Sequence, residues 1–113
     1  MERIENPWGW YEEVFSETPQ YKVKRIYLNP ESRFSLQLHN HRNEYWTVVQ
    51  GDGLVEVGEN SREIQTGDFV FIPKTVKHRL KGGTTGITLI EVQHGDFCLE
   101  EDVERFEDDF GRV

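Results

Sequence analysis

Turn-forming residues interrupt this chain at short intervals, and they constrain its fold more than any other feature. Asn29-Pro30, Gly51-Asp52-Gly53 and Thr66-Gly67-Asp68 each follow a short segment rich in β-branched and aromatic residues. Turn signals about 8–12 residues apart, with short strand-like segments between them, are typical of β-sandwiches and β-barrels. We therefore predict an all-β protein built as a small barrel.

The predicted strands account for most of the chain between residues 21 and 93. They cover residues 21–28, 34–41, 44–50, 54–57, 62–65, 69–72, 78–80 and 87–93, and residues 81–86 are predicted to form a loop. Residues 1–20 lack strong periodicity, so we predict an N-terminal arm. The indoles of Trp8 and Trp10 would either cover an open edge of the barrel or stack on a sugar.

The C-terminal segment has a different pattern. Its apolar residues Leu99, Val103, Phe106 and Phe110 recur at helical spacing. This spacing predicts a short helical turn with its apolar side on the barrel and its acidic residues in solvent. The chain is long enough for one hydrophobic core but not for two. We therefore expect a single domain spanning residues 1–113.

Charge and composition exclude several classes of function. The net charge is −8, from 13 Lys and Arg against 21 Asp and Glu, whereas a nucleic-acid-binding protein should present a basic face. We find no apolar run of the length of a signal peptide or a membrane span. The single cysteine, Cys98, excludes an intrachain disulfide and fits a reducing compartment. We therefore expect a cytoplasmic protein that binds neither nucleic acid nor membranes.

Four side chains of the metal-ligand type lie in two parts of the sequence. His39 and His41 share their parity with Gln37 in one predicted strand, so they should face the same side of the sheet. Glu44 follows just after a tight turn, and His78 begins a later predicted strand. We predict that His39, His41, Glu44 and His78 hold one metal ion inside the barrel.

Imidazole nitrogens and a carboxylate oxygen suit Zn²⁺, Mn²⁺, Fe²⁺, Co²⁺ or Ni²⁺, and the sequence does not choose among these ions. Such a ligand set leaves one or two positions of an octahedral ion open for water or for two substrate oxygens. Two alternatives are open at this point. The histidines could be only packed or hydrogen-bonded in the core, and Glu44 could act as a base instead of a ligand.

Two motifs resemble those of the cupin superfamily: His39-x-His41-x-x-Glu44 followed by Gly51, and Gly67-x5-Pro73-x4-His78. Nearly the whole chain is similar to type II mannose-6-phosphate isomerase. That family is the cupin domain found C-terminal to mannose-1-phosphate guanylyltransferase in bifunctional enzymes, and it also occurs alone. The similar segments include Pro7-Trp8-Gly9, Tyr21-Lys22-Val23-Lys24, Ser35-Leu36-Gln37, Ile90-Glu91-Val92-Gln93, Glu101-Asp102-x-x-Arg105-x-Glu107-Asp108 and Gly111-Arg112.

The resemblance implies a double-stranded β-helix, or jelly-roll barrel, that interconverts mannose 6-phosphate and fructose 6-phosphate with the help of a metal. In such a reaction a base moves a proton between C1 and C2. Glu91 is the first candidate for this base, because its strand face begins in the core and becomes polar. Lys24 is the other catalytic candidate. Alternatively, Glu91 forms an ion pair with Lys22 or Lys24 on a neighbouring strand.

A sugar phosphate also needs polar and cationic groups around it. The candidates for substrate binding are Lys22, Lys24, Gln37, Trp46, Gln93 and Arg112. Trp46 could instead belong to the core. Arg42 directly follows His41, and Arg79 directly follows His78. Strand alternation should therefore turn both arginines away from the metal and towards the acidic tail.

Two other functions fit the same residues. A metal-binding cupin without isomerase activity would act as a sugar-binding or sensor module, and three histidines with one glutamate also suit an Fe-dependent dioxygenase. We further expect a homodimer, because outward apolar residues such as Leu36 and Leu38, together with a sheet edge, would otherwise be exposed.

Overall fold

The computed structural model describes the backbone of residues 1–113 and all side chains except those of residues 17 and 18. Its strands are β1 (Arg3–Asn6), β2 (Gly9–Thr18), β3 (Tyr21–Leu28), β4 (Leu36–Leu38), β5 (Arg42–Val57), β6 (Asn60–Gln65), β7 (Phe69–Ile72), β8 (His78–Gly95) and β9 (Glu104–Glu107). The described backbone contains no helix, and hence none with the length and apolar content needed to cross a membrane. The prediction of an all-β protein is confirmed.

The long strand β8 joins the two halves of the sheet. Its second half pairs antiparallel with β3 on one side and with the first half of β5 on the other. Its first half pairs with the second half of β5 and, through Gln37 and His78, with β4. Beyond β3 the sheet continues through β2 to β1, and beyond β4 it ends at β9. β6 and β7 both pair with β5. The result is one curled sheet around a single core.

Glycines allow β5 and β8 to bend between these halves while they remain paired. Gly51 in β5 and Gly86 in β8 have φ angles of 87° and 80°, a conformation that favours glycine. The two backbones also approach closely, since a Cβ atom on Gly51 would lie 2.2 Å from the Gly86 carbonyl oxygen. The prediction of a loop at residues 81–86 is wrong, because these residues carry β8 through the bend.

The N-terminal residues form a hairpin of β1 and β2 that extends the sheet from β3. Trp8 is 8% exposed and packs edge-on against Phe34, with the ring centroids 4.8 Å apart. Trp10 lies on the outer face and stacks on Tyr27. The predicted arm is therefore a hairpin in which Trp8 of the turn, but not Trp10 of β2, covers the core.

The prediction of a C-terminal helical turn is wrong. Residues 104–107 form β9, which pairs with the open edge of β4. Leu99, Phe106 and Phe110 remain 40–49% exposed, so their helical spacing does not mark a buried stripe. In a helix, like charges four residues apart, such as Glu104 and Asp108, would lie close together on one face and repel each other. Pairing with β4 instead satisfies an otherwise free sheet edge.

The inner faces of β3, β5 and β8 are apolar at one end of the barrel and polar at the other. Ile26, Val48 and Leu89 lie in register in one buried layer. The next two layers consist of Lys24, Trp46 and Glu91, and of Lys22, Glu44 and Gln93. Strand alternation thus delivers a set of polar side chains to one end of the barrel interior.

Candidate functional site

Three side chains that could bind a metal ion meet at this polar end. His39 follows β4, Glu44 lies in β5, and His78 begins β8. Each is at most 5% exposed, and one ligand atom from each lies within 4.8 Å of the others. Glu44 Oε2 is 3.2 Å from His39 Nε2, and Glu44 Oε1 is 3.9 Å from His78 Nε2. The structure therefore brings together three of the four predicted ligands.

Backbone carbonyl groups orient both imidazole rings. His39 Nδ1 lies 2.7 Å from the carbonyl oxygen of Asp102, and His78 Nδ1 lies 3.1 Å from that of Val76. Each Nδ1 therefore carries a hydrogen and donates it, which leaves the Nε2 lone pair for a ligand. The buried His78 Nε2 has no hydrogen-bond partner among the described residues. A metal ion fits this orphaned lone pair.

Burial and nearby charge favour the protonation states that metal ligands need. Burial lowers the pKa of His39 to about 4, with Glu44 opposing and Arg42 assisting, and it lowers the pKa of His78 as well. Burial alone would raise the pKa of Glu44, but His39 and the Arg42 guanidinium hold it well below its usual range. Neutral imidazoles beside an ionised carboxylate are a suitable donor set for a divalent ion.

The fourth predicted ligand, His41, lies apart from these donors. β4 ends at Leu38 and β5 begins at Arg42, so the chain bends over residues 39–41 and its alternation is interrupted. His41 is half-buried and stacks on Phe97, with the ring centroids 4.1 Å apart. The bend therefore turns the two histidines to different surroundings.

The same bend turns Arg42 into the site, and the prediction that it faces away is wrong. Its Nε donates to Glu44 Oε2 at 3.0 Å, and its Nη2 lies 3.4 Å from His39 Nε2. Arg79, in contrast, pairs with Glu107 of the acidic tail, with 3.0 Å between Nη1 and Oε1. A pocket opens at this polar end of the barrel, beside His39 and Glu44, and of these two arginines only Arg42 lines it.

The Glu91 carboxyl lies next to that of Glu44 and is 4% exposed. Trp46 Nε1 donates to Glu91 Oε2 and to Glu44 Oε1, each at 3.1 Å, and Gln93 Nε2 donates to Glu91 Oε1 at 2.6 Å. Burial and the nearby Glu44 charge raise the pKa of Glu91 above its ordinary range. A carboxyl group with a raised pKa can accept and return a proton near neutral pH.

The two lysines proposed as alternative partners of Glu91 pair with other acids. Both carboxylate oxygens of Glu100 lie 2.8 Å from Lys24 Nζ. Lys22 Nζ lies 3.3 Å from Glu13 and 3.5 Å from Glu100. Five of the six predicted substrate-binding residues line the pocket, and Lys22 does not; the five are Lys24, Gln37, Trp46, Gln93 and Arg112.

Residues 99–102 form a strap beside the pocket. The sequence pattern did not predict a role for this strap. The Leu99 carbonyl oxygen accepts a hydrogen bond from Arg42 Nη1 at 3.0 Å. The Asp102 carboxylate accepts the backbone N–H groups of Asn40 and His41, each at 2.9 Å. Asp102, which the predicted helical turn would leave in solvent, therefore holds the bend that carries His39.

Arg105 is a pocket residue that the helix prediction concealed. It lines the pocket together with Val103, and its buried Nε has no hydrogen-bond partner among the described residues. Strand alternation between positions 103 and 105 was the signal that could have identified it. A buried guanidinium nitrogen without a partner is suited to an anionic ligand.

We expect Asp102→Ala to lower the free energy of unfolding by about 2–4 kcal/mol, because two N–H groups lose a charged acceptor. Urea denaturation of the metal-free protein measures this change. Glu101→Ala is the matched control, since Glu101 is exposed and its loss should cost less than about 0.5 kcal/mol. Equal denaturation midpoints for wild type and Asp102→Ala would contradict this role.

Known proteins resemble the chain in both sequence and structure. It is 40% identical over 112 residues to "Xanthan biosynthesis protein XanB" of Xanthomonas campestris pv. campestris, covering 98% of this chain and 24% of XanB. It is 37% identical over 111 residues to "Mannose-1-phosphate guanylyltransferase ManC" of Salmonella typhimurium, covering 97% of this chain and 23% of ManC. The chain thus spans about a quarter of the length of these curated relatives.

Among solved structures, the cupin domain of Schizosaccharomyces pombe Cnp3 superposes with a TM-score of 0.74 at 15% identity, covering 77% of this chain and 64% of that one. At this identity the likeness shows the fold, which is that of a cupin. A family model described as "Mannose-6-phosphate isomerase C-terminal" matches residues 1–108. The chain therefore belongs to the family of mannose-6-phosphate isomerase C-terminal domains.

Proposed function

We propose that this chain catalyses the metal-dependent interconversion of mannose 6-phosphate and fructose 6-phosphate. The observation that carries the proposal is the buried Glu91 carboxyl, which shares the Trp46 N–H with Glu44 of the three-donor group. An aldose–ketose isomerisation needs these two functions side by side, a base for carbon-bound protons and a centre that polarises oxygen. The family description supports the choice of substrate.

His39, Glu44 and His78 would hold the metal through two Nε2 atoms and a carboxylate oxygen. When bound there, a divalent ion supplies Lewis-acid polarisation of the substrate oxygens at C1 and C2. Arg42 would keep Glu44 ionised and fixed, because its guanidinium donates to Oε2. The chain therefore preorganises both charge and geometry before the sugar arrives.

Glu91 would take the proton from C2 of the aldose and return it to C1, while the proton of the C2 hydroxyl moves to the C1 oxygen, and these two transfers together yield the ketose. Gln93 and Trp46 each donate to one of its oxygens and so fix the plane of the carboxyl group. Its raised pKa makes the transfer in each direction easier near neutral pH. Lys24 lies in register with Glu91 on the neighbouring strand and contributes positive charge rather than a proton.

The phosphate group would bind the cations of the pocket wall. Arg105 offers a buried Nε without a partner among the described residues. Arg112 is held by Asp108, with 2.7 Å between Nε and Oδ2, and Lys24 is held by Glu100. Of Lys24, Arg105 and Arg112, Arg105 is therefore the one that offers a dianion a buried guanidinium nitrogen without a partner among the described residues.

The test is a coupled assay for fructose 6-phosphate formed from mannose 6-phosphate, after chelation and after separate addition of Zn²⁺, Mn²⁺, Fe²⁺, Co²⁺ and Ni²⁺. We expect product with at least one ion and none with unphosphorylated mannose. Phosphosugar that binds but is recovered unchanged with every ion would overturn the proposal in favour of a binding module. Oxygen consumption that requires Fe²⁺ would overturn it in favour of a dioxygenase.

We expect Arg105→Gln to raise KM for mannose 6-phosphate about 10- to 100-fold, the range for losing a charge-assisted hydrogen bond, with a smaller effect on kcat. Steady-state kinetics with a saturating metal measure both constants. Arg62→Gln is the matched control, because Arg62 is exposed and does not line the pocket. An unchanged KM in Arg105→Gln would place the phosphate elsewhere.

A further inference from the structure

Two lysines of β3 share one carboxylate of the strap. Both oxygens of Glu100 lie 2.8 Å from Lys24 Nζ, and one of them lies 3.5 Å from Lys22 Nζ. The Tyr11 hydroxyl of β2 also hydrogen-bonds to Glu100. Three donors thus converge on one anionic group, which is the arrangement of an oxyanion-binding subsite. We call Lys22, Lys24 and Tyr11 the lysine subsite.

The cations of the lysine subsite are buried, whereas the carboxylate that they bind lies half in solvent. The side chains of Lys22 and Lys24 are 10% and 6% exposed, and that of Glu100 is 49% exposed. Among the described residues, Glu13 also pairs with Lys22, but Lys24 pairs with Glu100 alone. A buried ammonium group without an anion is costly, so Lys24 would bind another anion if Glu100 were removed.

Strand register places the lysine subsite at the reacting end of the pocket. Lys24 lies opposite Glu91 of β8, which in turn lies opposite Trp46 of β5. These three residues and Glu100 all line the pocket. The proposed function puts C1 and C2 of the sugar beside Glu91, and it assigns the phosphate to Arg105 of β9. Lys24 and Glu100 therefore belong to the end of the pocket that receives C1.

We propose that Glu100 is a specificity-determining residue, which fills the lysine subsite and so excludes phosphosugars that carry a second anionic group at C1. The inference rests on the proposed function for the position of C1. Mannose 6-phosphate and fructose 6-phosphate are uncharged at C1 and leave the Glu100 contacts intact. A 6-phosphohexonate has a carboxylate there, which must displace the Glu100 carboxylate or lie beside it. Like-charge repulsion of this kind rejects a competitor without any new contact to the accepted substrate.

Two ligands that differ only at C1 test the proposal by calorimetric titration of the metal-loaded protein. 6-Phosphogluconate has a carboxylate at C1, glucitol 6-phosphate has a hydroxymethyl group, and neither can undergo the isomerisation. We expect Glu100→Gln to lower the dissociation constant of 6-phosphogluconate about 10- to 100-fold, the range for one charge-assisted hydrogen bond, and that of glucitol 6-phosphate less than about threefold.

Three further variants identify the cause of such a gain. Glu101→Gln is the matched control, because it removes the same charge from an exposed position of the strap, and it should leave both dissociation constants near their wild-type values. Adding Lys24→Gln to Glu100→Gln should abolish the gain, because the gain depends on the Lys24 ammonium group. Glu100→Asp retains a carboxylate and should retain the wild-type preference.

Circular dichroism checks the fold of each variant, and Glu100→Ala replaces Glu100→Gln if the glutamine variant does not fold. An unchanged preference between the two ligands in a folded Glu100 variant without the carboxylate overturns the proposal. Weaker binding of 6-phosphogluconate also overturns it, because Glu100 would then position the lysines instead of competing with a ligand. Both results are distinct from failure of the proposed function, which is measured by product formation and not by binding.

Discussion

Replacing His78 by alanine is expected to abolish stoichiometric metal binding. The His78 Nε2 atom is buried and without a partner among the described residues, and its Nδ1 is committed to the Val76 carbonyl group. Removing it leaves two protein ligands, His39 and Glu44. Loss of an outer-shell partner alone costs 10–100-fold in metal affinity, so loss of a ligand should cost more than about 100-fold.

Elemental analysis after dialysis and calorimetric titration with Zn²⁺ or Mn²⁺ measure this loss. His78 is 1% exposed, so His78→Gln, which conserves more volume, serves as a second variant if the alanine variant is unstable. His41→Ala is the informative control. The structure predicts that it retains the metal, whereas the four-ligand interpretation of the sequence predicts that it does not. Full metal content in a folded His78→Ala variant would contradict the proposed centre.

Glu91→Gln is expected to lower kcat by about 10²–10⁴-fold, the usual contribution of a general base, while the metal content stays at the wild-type level. Glutamine keeps the shape of the side chain and can still accept from Trp46 Nε1. It cannot take a proton from carbon. KM should change little, because the side chain moves a proton and does not hold the phosphate.

Two measurements separate this chemical role from a structural one. Uptake of solvent deuterium at C1 and C2 of the sugar should stop in Glu91→Gln, and Glu91→Asp should recover part of the turnover. Glu101→Gln, which changes an exposed carboxylate in the strap, should have wild-type kinetics. Turnover and deuterium uptake at the wild-type rate in Glu91→Gln would assign the base to another residue.

Strand alternation predicted much of the pocket because it depends only on local sequence. The predicted bounds of β3 and β7 coincide with the observed ones. In β8, the shared parity of Glu91 and Gln93 with Leu89 correctly placed both polar side chains inside the barrel. A pattern of period two is sufficient wherever a strand runs straight through the sheet.

The errors occur where distant parts of the chain determine the local conformation. The bend at residues 39–41 is held by the Asp102 carboxylate from the tail, so the parity of His41 and Arg42 could not be read from their own strand. The tail is a strand because β4 offers it an edge, and this edge is not visible in residues 99–110. The glycines of β8 read as a loop, although the pairing with β5 persists.

The strap at residues 99–102 has a consequence for the order in which the protein matures. A ribosome delivers this segment after all strands from β1 to β8, yet its Asp102 carbonyl group fixes the His39 tautomer. A nascent chain that has already curled its sheet would therefore still lack the hydrogen bond that aligns one of the two imidazoles. Binding of a metal ion at the proposed centre would thus be completed only after residues 99–102 have left the ribosome.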